Sequence, residues 1–163
     1  MHDNYHFCPA CGAGLATSEI DGRARHVCAR GCGFVHWNNP VPVAAALVIH
    51  EGDAILVRKA EWPGGWFGLV TGFIEQAEDP GDAARREVEE ELGLQSISLE
   101  RICEFAFGEQ NQIILGFAVE CSGTISLSSE LSEYKRVPID KLRPWPFGTG
   151  RVVAQWLSER CGA

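Results

Sequence analysis

Long apolar segments are missing from this sequence of 163 residues. No uninterrupted apolar run reaches the roughly 20 residues that a membrane-spanning helix requires. The first residues also lack the basic start, short apolar core and small-residue cleavage site of a secretion signal. We therefore expect a cytoplasmic protein with no membrane partner. Internal repeats and low-complexity stretches are missing as well.

Basic residues are scarce relative to acidic ones: 14 Lys and Arg stand against 22 Asp and Glu, for a net charge of −8. The excess acid lies in residues 41–163, because the first 40 residues hold three Arg against three acidic residues. A surface that follows nucleic-acid phosphates needs clustered positive charge, and neither part provides it. The composition therefore argues against nucleic acid as a partner.

The chain is long enough for one ordinary domain and one small accessory module. Residues 1–36 are rich in Cys, His and Gly and show no sustained periodicity. After the Pro-containing stretch at 38–42 the chain becomes strongly apolar over residues 43–49. We place a small module at residues 1–38 and the main domain at residues 39–163.

Alternating strands and helices are predicted in the main domain. Strands are expected over residues 43–50, 54–59, 97–107 and 112–121, with a tight turn between the first two. Asp79 as N-cap, Pro80 in the first turn and Gly93 as C-cap delimit a helix. Thr149 precedes a second helix, whose apolar face comprises Val152, Val153, Trp156 and Leu157. This order predicts an α/β sandwich.

The first predicted helix carries an acidic cluster. Glu87, Glu90 and Glu91 are spaced i, i+3 and i+4, so their carboxylates share a narrow arc, and Arg86 lies one turn before Glu90. Like charges this close repel unless a cation lies between them. Mg²⁺ or Mn²⁺ suits such an all-oxygen site. The alternative is a solvated helix face, which is common in Glu-rich helices.

The segment GFIEQAEDPGDAARREVEEELGL, from Gly72 to Leu94, resembles the Nudix box at each of its defined positions. The resemblance implies the Nudix-type α/β/α sandwich with a mixed sheet. It also implies that Glu87, Glu90 and Glu91 bind a catalytic Mg²⁺ or Mn²⁺, with the carbonyl oxygen of Gly72 as a further ligand. The expected reaction is hydrolysis of a diphosphate bond in a nucleotide derivative, with water attacking phosphorus.

Other positions of the box have supporting roles by the same resemblance. Arg86 would orient Glu90, and Glu78 would brace the loop before the helix. Ala77 stands where the family often has Gly, which tolerates backbone angles that Ala does not. Glu130 and Glu133 resemble a downstream acidic stretch that supplies a base or further ligand in some members. We favour Glu130 as the catalytic base, with a plain surface carboxylate as the alternative.

Four cysteines mark the small module. Cys8 and Cys11 are separated by two residues, and Cys28 and Cys32 by three. Four thiolates suit a structural Zn²⁺ in a zinc ribbon, and so short a segment needs metal ligation to fold. The longer second spacing leaves His26 as a substitute ligand.

A ribbon before a Nudix domain resembles two groups, the NADH pyrophosphatases and the hydrolases of FAD or ADP-ribose. The first group carries a Ser-Gln-Pro-Trp-Pro-Phe stretch after the box, whereas residues 104–112 here read EFAFGEQNQ. The second group is therefore favoured, and the family resemblance also allows a homodimer. Three alternatives remain: a nucleotide sensor without activity, a nucleic-acid-binding regulator, and a hydrolase of nucleotide-capped RNA.

Overall fold

The computed structural model describes residues 5–62 and 64–161. The chain divides into two compact units, one of residues up to Pro40 with Glu109–Asn111 and one of Val41–Gly108 with the residues from Gln112 onward. Each unit has its own sheet. Among the described residues, no helix is long and apolar enough to cross a membrane.

The smaller unit contains a three-stranded antiparallel sheet. Its strands are Leu15–Ile20 (β1), Arg23–Cys28 (β2) and Val35–His36 (β3), in the order β1-β2-β3. Sequence patterns did not predict these strands, because most of their side chains are exposed or half-buried and no apolar alternation marks them. The hairpin of β1 and β2 connects the two cysteine pairs, and its pairing of Leu15 with Cys28 brings the second pair back towards the first.

A six-stranded mixed sheet forms the centre of the larger unit. Its strands are Val41–His50 (β4), Asp53–Lys59 (β5), Val70–Phe73 (β6), Gln95–Phe107 (β7), Gln112–Ser122 (β8) and Leu131–Pro138 (β9). The order is β7-β8-β4-β5-β9, and β6 pairs with the first half of β4. Among the strands that the structure describes, only β4 and β8 run parallel, so the predicted mixed sheet is confirmed.

The turn between β4 and β5 is the tight one that the sequence predicts. Glu51 and Gly52 both have positive φ, at 52° and 84°, which matches the twist of a two-residue hairpin. The strand that was predicted to begin at Ile97 begins two residues earlier, at Gln95. Two strands of the larger unit were not predicted. β6 is only four residues long, and β9 is an edge strand with mostly exposed side chains.

Two helices cover opposite faces of this sheet. The first, Pro80–Leu92 (α1), is confirmed at both ends: Asp79 accepts a hydrogen bond from the Gly81 amide at 2.9 Å, and Gly93 is left-handed at φ 67°. The second, Gly150–Cys161 (α2), buries Val152, Val153 and Trp156.

The sheet separates two apolar cores. Ala83, Ala84 and Val88 of α1 pack on one face, and the buried residues of α2 pack on the other. Neighbouring side chains of β4 point alternately into these cores, as expected for a strand that is covered on both sides. The α/β/α sandwich is therefore confirmed, and in it α1 packs against β6 and the central strand β4.

Candidate metal centre and active site

The three glutamates of α1 differ sharply in exposure. The side chain of Glu90 is 58% exposed, that of Glu87 is 15% exposed, and that of Glu91 is only 4% exposed. The helix thus presents one carboxylate to solvent and two against the sheet. This gradient follows from their positions on the helix, because Glu91 lies on the same side as the buried residues Ala84 and Val88.

Gly72 of β6 lies directly against Glu87. A Cβ at Gly72 would stand 1.9 Å from both the carboxylate carbon and Oε1 of Glu87. β6 is held there by its pairing with β4, in which Gly72 is opposite Ala44. The absence of a side chain at Gly72 therefore creates the space in which this carboxylate lies, next to the backbone that was predicted to supply a further ligand.

Arg86 connects the acidic cluster with the loop before the helix. Its guanidinium donates to Glu87 Oε1 at 2.6 Å, to Glu90 Oε2 at 3.1 Å and to the Phe73 carbonyl oxygen at 3.1 Å. It also donates to both carboxylate oxygens of Glu78, at 2.7 and 3.0 Å. Arg86 thus contacts Glu90 as the resemblance suggests, and it holds Glu87 at a shorter distance.

The loop before α1 is closed by Glu78. Its carboxylate accepts a hydrogen bond from the Glu75 amide at 2.9 Å, and its own amide donates to the Glu75 carbonyl oxygen at 3.2 Å. Hydrogen bonds from Arg86 and from the Glu75 backbone lower the pKa of Glu78 to about 2. Ala77 adopts φ 64°, the left-handed conformation that glycine prefers. The loop therefore has a left-handed residue at the position where the family often has Gly, and this conformation is strained for Ala77.

Glu91 is a buried carboxylate without a hydrogen bond. Neither of its oxygens has a hydrogen-bond partner among the described residues. Among the described residues its close counter-charge is Lys59, whose Nζ lies 3.4 Å from Oε1 in an ion pair. Burial raises the pKa of Glu91 to about 7, against the lowering effect of Lys59 and with further increases from Glu87 and Glu130. A buried, incompletely satisfied carboxylate is the kind of donor that a bound cation completes.

Lys59 is a residue of the site that sequence patterns did not reveal. It is the last residue of β5, its side chain is 20% exposed, and Nζ also donates to the Thr71 carbonyl oxygen at 3.3 Å. The sequence shows only a basic residue at the end of an apolar strand. Its proximity to Glu91 depends on the pairing of both β5 and β6 with β4 and on the packing of α1 against β6, which the sequence alone does not show.

The two downstream carboxylates have different surroundings. The negative charge of Glu130 is close enough to raise the pKa of Glu91. Glu133, by contrast, is paired with Arg58 at 3.1 Å. A backbone hydrogen bond from Ser128 to the Glu91 carbonyl oxygen, at 3.0 Å, ties this segment to the end of α1. These contacts favour Glu130 over Glu133 as the carboxylate that belongs to the acidic cluster.

The side chains of this cluster fit a hard divalent cation. Carboxylates outnumber the cationic side chains of Arg86 and Lys59, and all the candidate donors are oxygens. The buried oxygens of Glu91 lack hydrogen bonds among the described residues, which leaves them available to a ligand. Glu87, Glu90, Glu91 and the Gly72 carbonyl oxygen would hold Mg²⁺ or Mn²⁺ there.

The four cysteines of the smaller unit form a second candidate metal centre. Their sulfur atoms all lie within 4.8 Å of one another, and two pairs, Cys8 with Cys32 and Cys11 with Cys28, are at 3.5 Å. Tetrahedral zinc, with Zn–S bonds of about 2.3 Å, spaces its sulfurs by about 3.8 Å. The cluster therefore has the size of a zinc-thiolate site, and it contains no histidine among the described residues.

The thiols of this cluster perturb one another. A hydrogen bond from the Cys32 backbone lowers the pKa of Cys28 to about 6. The Ala13 backbone favours the thiolate of Cys11, yet the hydrogen bond with Cys28 and burial raise the pKa of Cys11 to about 12. One sulfur is thus stabilised as the thiolate partly at the expense of its neighbour. A dication among the four would stabilise all of them as thiolates.

Comparisons with known proteins identify the families of both units. A family model described as NUDIX domain matches residues 40–156, and the zinc-ribbon model described as Nudix N-terminal matches residues 6–38. A NUDIX hydrolase from Nitrosomonas europaea has a TM-score of 0.74 at 21% identity, and the match covers 96% of this chain and 93% of that one. At this identity the structural likeness establishes the fold.

Two relatives are both named NAD-capped RNA hydrolases. The NAD-capped RNA hydrolase NudC of Pseudomonas syringae pv. tomato is 26% identical over 164 residues, covering 98% of this chain and 58% of that protein. The NAD-capped RNA hydrolase NUDT12 of Homo sapiens is 36% identical over 102 residues, covering 57% of this chain and 22% of that protein. This chain thus spans only part of the length of these relatives. Since the domain model matches well over half of the sequence and the ribbon model precedes it, the chain belongs to the Nudix family, in its zinc-ribbon-bearing branch.

Proposed function

We propose that this protein hydrolyses a diphosphate bond in a nucleotide derivative with the aid of Mg²⁺ or Mn²⁺. The observation that carries the proposal is the buried carboxylate of Glu91, which has no hydrogen-bond partner among the described residues and lies beside the Glu87 and Gly72 pair. A sensor that only binds its ligand has no need to maintain so unfavourable a group.

Each residue of the cluster has a role in this reaction. Glu87, Glu90, Glu91 and the Gly72 carbonyl oxygen bind the cation, and Arg86 fixes the orientation of Glu87 and Glu90. The cation, when bound, offsets diphosphate charge and makes a bound water more acidic. Glu130 accepts the proton of the attacking water, which adds to phosphorus in line with the leaving oxygen. The products are two monophosphates.

The substrate class follows from the family and the relatives. The sequence favours FAD or ADP-ribose over NADH, whereas the relatives named above are NAD-capped RNA hydrolases. An NAD-like dinucleotide, free or at the end of an RNA, therefore joins FAD and ADP-ribose as a candidate substrate. The sequence-based argument against nucleic acid used net charge alone, and these relatives do not support it.

The smaller unit has a structural role in this proposal. We infer that Cys8, Cys11, Cys28 and Cys32 bind a structural Zn²⁺ and that the module boundary lies between residues 38 and 39. A homodimer remains a prediction from the family resemblance.

The test is a hydrolysis assay with Mg²⁺ or Mn²⁺ on FAD, NADH, ADP-ribose, NAD-capped RNA and a nucleoside triphosphate. We expect monophosphate products from at least one dinucleotide substrate, and ¹⁸O-labelled water would identify the phosphorus that is attacked. Glu91→Gln should abolish turnover, whereas Glu89→Gln, on the exposed side of the same helix, should retain it. Tight binding of these ligands without turnover would instead support the sensor hypothesis.

A further inference from the structure

We propose that Lys59 is an internal counter-cation that occupies the position of the catalytic metal at Glu91 and must release this carboxylate when the metal binds. In this role Lys59 is a positioning residue: it acts on the metal site through Glu91. The inference rests on the proposed metal-dependent function and adds a determinant of metal affinity that the Nudix box does not contain.

The geometry of Lys59 supports competition with the metal. Nζ lies 3.4 Å from Glu91 Oε1 and donates to the Thr71 carbonyl oxygen at 3.3 Å. Thr71 directly precedes Gly72, whose Cα borders the Glu87 carboxylate. The ammonium therefore lies between β6 and α1, on the same two elements that supply the candidate metal ligands.

Charge and burial explain why a cation is needed at this place. The Glu91 side chain is 4% exposed and has no hydrogen bond from the described residues, so its charge is poorly solvated. Glu87 and Glu130 add negative potential. Lys59 offsets part of this charge, whereas a divalent cation bound by Glu91 would offset more of it. Two cations competing for one carboxylate must weaken each other's binding.

The first experiment measures Mn²⁺ affinity without nucleotide, from the electron paramagnetic resonance signal of free Mn²⁺. We expect Lys59→Met, which keeps the long side chain and removes the charge, to bind Mn²⁺ about tenfold more tightly than the wild type. Lys59→Arg should stay close to the wild type. Lys135→Met is the matched control, because Lys135 lies 4.3 Å from the Phe67 ring centre, on a neighbouring strand.

The proposal also predicts that metal changes the melting temperature of Lys59→Met differently from that of the wild type. In the presence of EDTA, Lys59→Met should melt at a lower temperature than the wild type, because Glu91 loses its counter-charge. Addition of Mn²⁺ should then raise the melting temperature of Lys59→Met more than that of the wild type. A residue that only supports the fold would lower stability under both conditions and would leave the response to metal unchanged.

A second measurement needs no variant. The chain has three lysines, Lys59, Lys135 and Lys141, so acetylation of each can be followed by mass spectrometry. Addition of Mg²⁺ should increase the acetylation rate of Lys59 several-fold, because its amine is no longer held by Glu91, while the other two lysines keep their rates.

The outcomes separate the two proposals. Failure of the wild type to bind Mn²⁺ would overturn the proposed metal-dependent function. Binding by the wild type, combined with equal or weaker affinity in Lys59→Met and an unchanged acetylation rate at Lys59, would overturn the role of Lys59 alone.

Discussion

Gly72→Ala should disable the metal centre while leaving the protein folded. The new Cβ would stand 1.9 Å from the carboxylate carbon of Glu87. Carbon atoms in contact are about 3.5 Å apart, so the carboxylate has to move by about 1.6 Å. The backbone at Gly72 has little freedom to move instead, because β6 is paired with β4 at this residue. Since a misplacement of about 1 Å can lower a rate about 100-fold, we expect at least that loss in kcat.

The assay combines turnover, Mn²⁺ affinity and thermal melting. We expect weaker Mn²⁺ binding together with the loss of turnover, and a decrease of about 1–3 kcal/mol in the free energy of unfolding from overpacking. Gly108→Ala is the control, because a Cβ at Gly108 would meet no atom within 4 Å and its φ is not in the left-handed region. Wild-type affinity and turnover in Gly72→Ala would refute the close placement of Glu87 as the reason for a glycine here.

Three further changes test the loop and the ribbon. Ala77→Gly should raise the free energy of unfolding by about 1 kcal/mol in urea titrations, because Ala77 has φ 64°; equal stability would contradict the strain. The carboxyl of Glu78 has its pKa lowered from 4.5 to about 2, so its stabilising contribution is complete above pH 4.5 and lost as the pH falls towards 2. Glu78→Gln should therefore show a flatter decline of stability below pH 4.5, and an unchanged pH profile would exclude this contribution. Cys11→Ser should lose zinc from the purified protein, as measured by elemental analysis, whereas Cys103→Ser, outside the cluster, should retain it; full zinc content in Cys11→Ser would exclude Cys11 as a ligand.

Local signals in the sequence were sufficient to predict the elements that capping or turn residues delimit. Asp79, Pro80 and Gly93 delimit α1 to the residue, because a side-chain cap and a left-handed glycine act within one turn of the helix. The hairpin after His50 was predictable for a similar reason, since its two-residue turn restricts the backbone locally.

Elements without such signals were missed. Residues 131–138 read LSEYKRVP, which lacks apolar alternation because this strand lies at the edge of the sheet and exposes most of its side chains. Its pairing with β5 depends on residues more than 70 positions away in the sequence. The same is true of the site: the box predicts the glutamates of one helix, whereas the contact of Lys59 with Glu91 depends on tertiary packing.

The last turn of α1 is acidic. Glu89, Glu90 and Glu91 occupy its last turn, and no basic residue is present there. The aligned peptide dipoles of a helix place partial negative charge at its C-terminus, so these carboxylates oppose the helix that carries them. Replacing them with neutral residues would stabilise the helix and remove the affinity for a cation. The protein thus retains a locally unfavourable helix end, and binding of the proposed metal would contribute to folding as well as to catalysis.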